Sequence, residues 1–232
     1  MSLVVENIKK SFGKNEVLKG LNFEFKEGKI YALLGRNGAG KTTFFNCLND
    51  DLTLDDGKYY IKENDKKRKV LPEEIGYVLS TPIVPDFLTG NEFLKFFLDI
   101  NKNKIKNLKD KDYYFDLIGI KKEDRSKLLR EYSHGMKSKM QMIVNIICDS
   151  KILLLDEPLT SLDVVAAEDM KKLLLSIKKD KVLIFSTHIM ELAVSLCDEI
   201  VLLNHGVLEQ INKKDLDKEK LANKIIDALR ED

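Results

Sequence analysis

Eight consecutive residues, Gly35-Arg36-Asn37-Gly38-Ala39-Gly40-Lys41-Thr42, follow the pattern GxxxxGK(S/T). They come directly after an apolar run at 30–34 and lead into a helical pattern at 41–48. A glycine-rich turn in that place lets backbone N–H groups converge on phosphate oxygens, and the helix behind it adds its positive end. Lys41 would bring a full charge to the β- and γ-phosphates of a nucleotide. The Thr42 hydroxyl could join the oxygen shell of Mg2+, with Thr43 next in the same first turn. Much later in the chain a second apolar run, 152–155, ends in Asp156 and Glu157. Asp156 suits a place beside Mg2+, and Glu157 suits a general base for an attacking water. Neighbouring strand positions face opposite ways, so alternation alone would give the two acids different surroundings.

The elements that must position these groups can be read from periodicity. Residues 17–25 (VLKGLNFEF) alternate as a strand, and 30–34 (IYALL) are apolar throughout, as in a strand buried on both faces. Residues 57–61 and 75–79 are further short strands. Apolar residues then recur at helical spacing over 89–100, 112–118 and 136–148, which makes the middle of the chain helical. Between them, 101–111 hold five lysines and one acid, more in keeping with a solvated loop than with a phosphate- or lipid-contacting patch. From 152 onward strands (152–155, 182–185) alternate with helices (164–177, 189–196), which argues for a parallel sheet with crossover helices. Residues 199–203 and 207–211 read as a hairpin around Asn204-His205-Gly206, and Leu221, Ile225 and Leu229 mark a short terminal helix. The expectation is one domain over 1–232: an α/β core at about 1–81 and 150–232, with a helical subdomain at about 82–149 inserted.

The chain has 232 residues, 44% of them hydrophobic, enough for one substantial core. One third are charged, yet the formal net charge is only +1, so nothing draws the molecule as a whole toward nucleic acid or anionic lipid. No nucleic-acid partner is expected. No run approaches the ~18 apolar residues of a spanning helix, and the N-terminus is charged too early for a signal peptide. Cys47, Cys148 and Cys197 lack metal-type spacing and suit a reducing cytoplasm.

These motifs together resemble the nucleotide-binding domains of ABC ATPases, over nearly the whole chain. The resemblance implies a P-loop (RecA-like) α/β core with an antiparallel β subdomain and an inserted α-helical subdomain. Tyr132-Ser133-His134-Gly135-Met136 looks like a variant of the family signature LSGGQ, so Ser133 and Gly135 would face the γ-phosphate of ATP held by the opposite subunit. Read alone, the same residues are also a helix start capped by Ser133. Ser161-Leu162-Asp163 is similar to the family's D-loop. Ser186-Thr187-His188 is similar to its switch segment, with His188 on the γ-phosphate at a strand's C-terminal end, where α/β sites gather. Phe12 stands where the family places an aromatic under adenine, although core packing would suit it equally. One position departs from the pattern: the usual Pro-Gln after strand 75–78 is Leu79-Ser80 here. Ser80 would offer its oxygen to Mg2+ and the lytic water on a shorter arm: either a water fills the gap, or Thr81 helps, or coupling is weaker. The YSHGM version of the signature resembles an exporter-type subgroup whose membrane subunits are separate chains.

The resemblance implies an ATPase that uses ATP and Mg2+. Lys41, Glu157 and His188 would be catalytic. Phe12, Gly35, Arg36, Asn37, Gly38, Ala39, Gly40, Lys41, Thr42, Thr43, Ser133 and Gly135 would hold the nucleotide, and Thr42, Asp156 and Ser80 the metal. Implied partners are a second ATPase domain, identical or different, and membrane-spanning transporter subunits, with the chain cytoplasmic and peripheral on the inner face of the cell membrane. The alternative is a soluble ABC-type ATPase serving cofactor assembly or a nucleic-acid-linked task, which the single cassette and missing heptad run disfavour. The tether 79–88 carries Pro82, Pro85 and the apolar Ile83, Val84, Phe87 and Leu88. It reads as a docking patch for a cytoplasmic helix of a membrane subunit, or as a segment packed back on Phe93 and Phe97.

Overall fold

A computed structural model describes residues 1–103, 105, 108–160 and 162–211. The terminal helix expected around Leu221, Ile225 and Leu229 lies outside the described residues, as does Ser161. Two sheets form the frame. The first is antiparallel, in the order β2-β1-β4-β5, from β1 (Ser2–Phe12), β2 (Asn15–Lys26), β4 (Asp56–Glu63) and β5 (Lys66–Arg68). The second runs β10-β9-β3-β8-β7-β6, from β3 (Lys29–Leu34), β6 (Ile75–Val78), β7 (Ile152–Asp156), β8 (Val182–Thr187), β9 (Glu199–Asn204) and β10 (Val207–Ile211). It is parallel except for β10, which returns antiparallel on β9. The α/β core with an antiparallel β part and an inserted helical part is therefore present.

The continuous apolar runs follow from burial on both faces of the second sheet. Tyr31 and Leu33, Ile152 and Leu154, and Val182 and Ile184 face the antiparallel sheet and α1 (Lys41–Leu48), where Phe25, Phe44 and Phe45 pack. Their neighbours Ile30, Ala32, Leu34, Leu153, Leu155, Leu183 and Phe185 face the opposite side, toward α4 (His134–Ile147), α5 (Val164–Ile177) and α6 (Met190–Leu196). Alternation is present, but both sets are apolar.

β1 escapes the sequence reading for a local reason. Leu3, Val5 and Ile8 are all buried, yet the step from Val5 to Ile8 breaks period two, because the register shifts there and Asn7 turns to φ 52°. Gly57 of β4 fits against this bulge: a Cβ would come within 2.2 Å of the Asn7 carbonyl oxygen, and φ is +87°. β5 (KKR) has no apolar face to read. It forms because Asn64 and Asp65, both at positive φ, make the tight turn that folds it back on β4.

Between β6 and β7 the chain leaves the sheet and builds α2 (Gly90–Asn101), α3 (Lys111–Leu117) and α4. Thr89 and Glu92 form a capping box that starts α2, with Thr89 N–H donating to Glu92 Oε2 at 2.8 Å. Asp110 caps α3 and Ser133 caps α4, accepting from Met136 N–H at 3.2 Å. Leu94 and Leu98 of α2 turn inward, whereas Phe96 and Ile100, equally apolar and one face away, stay exposed. β6 stops one residue short of the expected 75–79. Leu79 N–H donates to Gln141 Oε1 of α4 at 3.0 Å, so the strand's last amide belongs to the helical part.

Candidate functional site

The parallel strands β3, β7 and β8 end on one edge, and the loops beyond them carry the singled-out residues. The glycine turn follows β3. Gly40, at φ 102°, ends it and opens α1, where a Cβ would strike Val17 Cγ1 at 2.8 Å. Lys41, 6% exposed, folds its ammonium back over the turn, donating to the carbonyls of Gly35 (2.8 Å) and Arg36 (3.0 Å). Burial pulls its pKa below the ordinary lysine value, against the Glu157 and Asp156 carboxylates, which raise it. A buried ammonium resting on two neutral carbonyls is poised to exchange them for anionic oxygens.

Thr42 Oγ1 donates to Asp156 Oδ2 at 2.7 Å, although 114 residues separate them. Asp156, 2% exposed, takes a further bond from the Ser186 hydroxyl at the end of β8, which in turn accepts from Glu157 N–H at 3.0 Å. The pairing of Asp156 with Ser186 across β7 and β8 sets that contact. The two acids do differ in surroundings, but strand alternation is not the cause. β7 ends at Asp156, and Glu157 swings out at φ 49° in the left-handed region. Its carboxylate meets His188 Nδ1 at 3.0 Å through Oε1 and accepts from Thr160 Oγ1 at 3.2 Å through Oε2.

An open cavity of about 420 Å³ runs through this edge. It is lined on the turn side by Asn37, Gly38, Gly40, Lys41, Thr42 and Thr43, with Asp156, Glu157, Ser80, Val17 and Phe12 around them. Gly35, Arg36 and Ala39 shape the turn without lining this cavity; Ala39 N–H donates to the Arg36 carbonyl at 3.1 Å. Phe12 is 49% exposed, so core packing does not account for it, and the Lys10 ammonium stands 5.6 Å from its ring centroid. Ser80 is exposed and lines the cavity, whereas Thr81 does not.

Ser133 and Gly135 are not brought to this cavity. They line a separate one of about 240 Å³, together with Leu162 and Asp163. Ser186 and Thr160 belong to the site although the sequence does not single them out. Their hydroxyls fix the two acids, and the one available signal was a polar pair, Ser186-Thr187, closing an apolar strand. Gln141 had no signal at all.

A glycine turn between a parallel strand and a helix, with a hydroxyl bonded to a strand-end carboxylate, defines a P-loop nucleotide-binding α/β domain. The narrower class follows from comparison. The family model described as ABC transporter matches residues 18–160. An uncharacterised ABC transporter ATP-binding protein of Methanocaldococcus jannaschii is 36% identical over 204 residues, 87% of this chain and 74% of that protein. A bacitracin transport ATP-binding protein of Enterococcus faecalis is 30% identical over 218 residues, 92% of this chain and 70% of that one. A dimeric ATP-binding cassette solved in a post-hydrolysis state with ADP and Pi shares the fold, with a TM-score of 0.75 at 20% identity over 89% of this chain and 96% of that one. The chain belongs to the ABC transporter family, as an ATP-binding and ATP-hydrolysing subunit. Among the described residues no helix is long and apolar enough to cross a membrane.

Proposed function

We propose that two copies of this chain close on ATP and so drive a membrane exporter whose spanning subunits are separate chains. The observation that carries this reading is the separation of the two cradles. Each chain has a P-loop cavity at Gly35–Thr43 and, elsewhere, a cavity at Ser133 and Gly135. Facing one against the other across two copies completes both. Val164 and Val165, 88% and 72% exposed just after Asp163, supply apolar surface beside the second cavity for that contact. The YSHGM segment and the likeness to a bacitracin transport protein support the exporter class.

In the closed pair Phe12 stacks on adenine, Lys41 meets the β- and γ-phosphates, and the glycine turn surrounds them. Thr42 and Asp156 suit Mg2+, since a hydroxyl and a carboxylate already converge at 2.7 Å and both are hard oxygen donors. The ion would neutralise phosphate charge as it moves toward the leaving group. Glu157 takes the proton of the attacking water, and its bonds to His188 and Thr160 hold its carboxylate in place. His188 then turns to the γ-phosphate, as the resemblance implies. Closure does work because ATP binds the closed pair better than the open one.

Ser80 stands in the cavity on a short arm. Ser80→Gln is expected to raise kcat about 3-fold, the worth of one added hydrogen bond of ~0.7 kcal/mol in the transition state. A steady-state ATPase assay reads it, and lower activity in a folded variant would count against a role for position 80.

Docking on the membrane subunit falls to the tether and α2. Val84 packs against the core, but Ile83 and Phe87 are 74% and 78% exposed, near the exposed Phe96 and Ile100 in sequence. The tether is held by Leu129 N–H on the Leu88 carbonyl and by Lys137 on Asp86 (2.8 and 3.0 Å), so these side chains are presented from a fixed backbone. Phe87→Asp is expected to release the chain from native membranes in a flotation gradient while leaving Mg-ATP binding unchanged. A wild-type chain that never floats with its native membranes would refute the membrane role.

A further inference from the structure

The base and the phosphates of a bound nucleotide would meet different parts of the fold. The phosphate turn lies between β3 and α1, beside the parallel sheet, whereas Phe12 ends β1 of the antiparallel sheet. Their spacing has to be fixed, yet the end of β1 is poorly held by its own ladders. Toward β2 the register shifts between Lys10 and Ser11, just before Phe12. Toward β4 the pairing ends at Lys9 opposite Asp56, so residues 10–12 have no strand on that side.

Asp55 fills that place with its side chain. Its carboxylate accepts from Ser11 N–H at 2.6 Å through Oδ2 and from the Lys10 ammonium at 3.1 Å through Oδ1. Its own N–H donates to the Lys9 carbonyl at 3.0 Å. Residues 9, 10 and 11 of β1 are thus tied to one acid. The Lys10 ammonium, bound also to the Thr53 carbonyl at 2.7 Å, stands over the Phe12 ring, 5.6 Å from its centroid. A ring with a cation over one face keeps the other for a base.

Asp55 is joined to the phosphate side as well. It belongs to the connection 49–55 between α1 and β4, and that connection is fastened to α1. Asp51 and Leu52 N–H both donate to the Asn46 carbonyl, at 2.9 and 3.1 Å. α1 begins at Lys41, in the phosphate cradle. One short connection therefore ties the helix behind the phosphates to the strand end that carries the ring.

We propose that Asp55 is a positioning residue for the nucleotide base: it holds Phe12 at the distance from the P-loop that lets adenine stack while the phosphates lie in the cradle. This rests on the stacking of adenine on Phe12 in the reading above and adds to it the group that places the ring. Asp55 itself does not line the cavity and acts through Phe12.

The test compares two ligands of the full chain by calorimetry: Mg-ATP, and Mg-tripolyphosphate, which has the phosphates and no base. Phe12→Ala should weaken Mg-ATP by about 10-fold, the upper worth of one aromatic stack, and leave Mg-tripolyphosphate unchanged. Asp55→Ala should weaken Mg-ATP by about 3- to 5-fold, because the ring is loosened and not removed, again with Mg-tripolyphosphate unchanged. Asp55→Asn keeps an oxygen for Ser11 N–H and should recover most of the loss. Added to Phe12→Ala, Asp55→Ala should cost less than about 2-fold further, since the ring it places is gone. A merely structural role would weaken both ligands alike, or act in full without Phe12. Either result overturns the proposal, as does parental Mg-ATP affinity in Asp55→Ala. If Phe12→Ala binds Mg-ATP as the parent does, the stacking reading falls and the proposal with it. Should Asp55→Ala not fold, Asp55→Ser takes its place under the same criteria.

Discussion

Glu157→Gln is expected to lower steady-state ATP turnover by about 10³-fold, the range typical of losing a positioned general base, while the affinity for Mg-ATP stays within about 3-fold of wild type. The amide keeps the size of the carboxylate and can still accept from the Thr160 hydroxyl, so the loop geometry at φ 49° has no reason to change. What disappears is a base at the cavity wall, beside the residues that surround the phosphates. Single-turnover hydrolysis of radiolabelled ATP separates the two quantities. Parental turnover in this variant would remove Glu157 from the chemistry and leave its contact with His188 as structural.

Lys41→Ala is expected to act on the other quantity, weakening ATP binding by about 100-fold. Its ammonium is one of two buried side chains facing the P-loop cavity that carry full charge, and the other, Asp156, has the sign of the ligand. A charge-assisted bond is worth ~1.5–3 kcal/mol, and two phosphates share this one donor. The folded state should tolerate the change, because the carbonyls of Gly35 and Arg36 that lose a donor border an open cavity where water can replace it. Equilibrium titration with a labelled nucleotide reads the affinity, and an unchanged value would remove Lys41 from the cradle.

How far such a site can be read from sequence depends on whether the deciding contact is local. The glycine turn, its strand and α1 are contiguous, and α1 occupies 41–48 as expected. Asp156 was legible because the apolar run before it stops at a carboxylate. The geometry of Glu157 was not. Its separation from Asp156 depends on one residue in the left-handed region, held by a Ser186 hydroxyl from a different strand. β1 was hidden by the bulge at Asn7, and β5 by a sequence with no apolar face. The tether was ambiguous for the same physical reason as α2. Val84 and Ile83, or Leu94 and Phe96, are equally apolar, and only packing decides which of each pair turns inward. Gln141, which takes the Leu79 amide, sits in a helix pattern that any polar residue would satisfy.

The central claim is that ATP joins the P-loop of one copy to Ser133 and Gly135 of another. Sedimentation velocity of the Glu157→Gln chain, with and without Mg-ATP, tests it most directly when Ser133→Arg is added in the same background. Ser133 is exposed at the start of α4, so the substitution costs only a helix cap, about 1 kcal/mol, and leaves the P-loop untouched. The account predicts that Mg-ATP converts Glu157→Gln to a dimer, and that the double variant binds ATP yet stays monomeric. A Glu157→Gln chain that remains monomeric at saturating ATP, or a double variant that dimerises as readily as its parent, would contradict it.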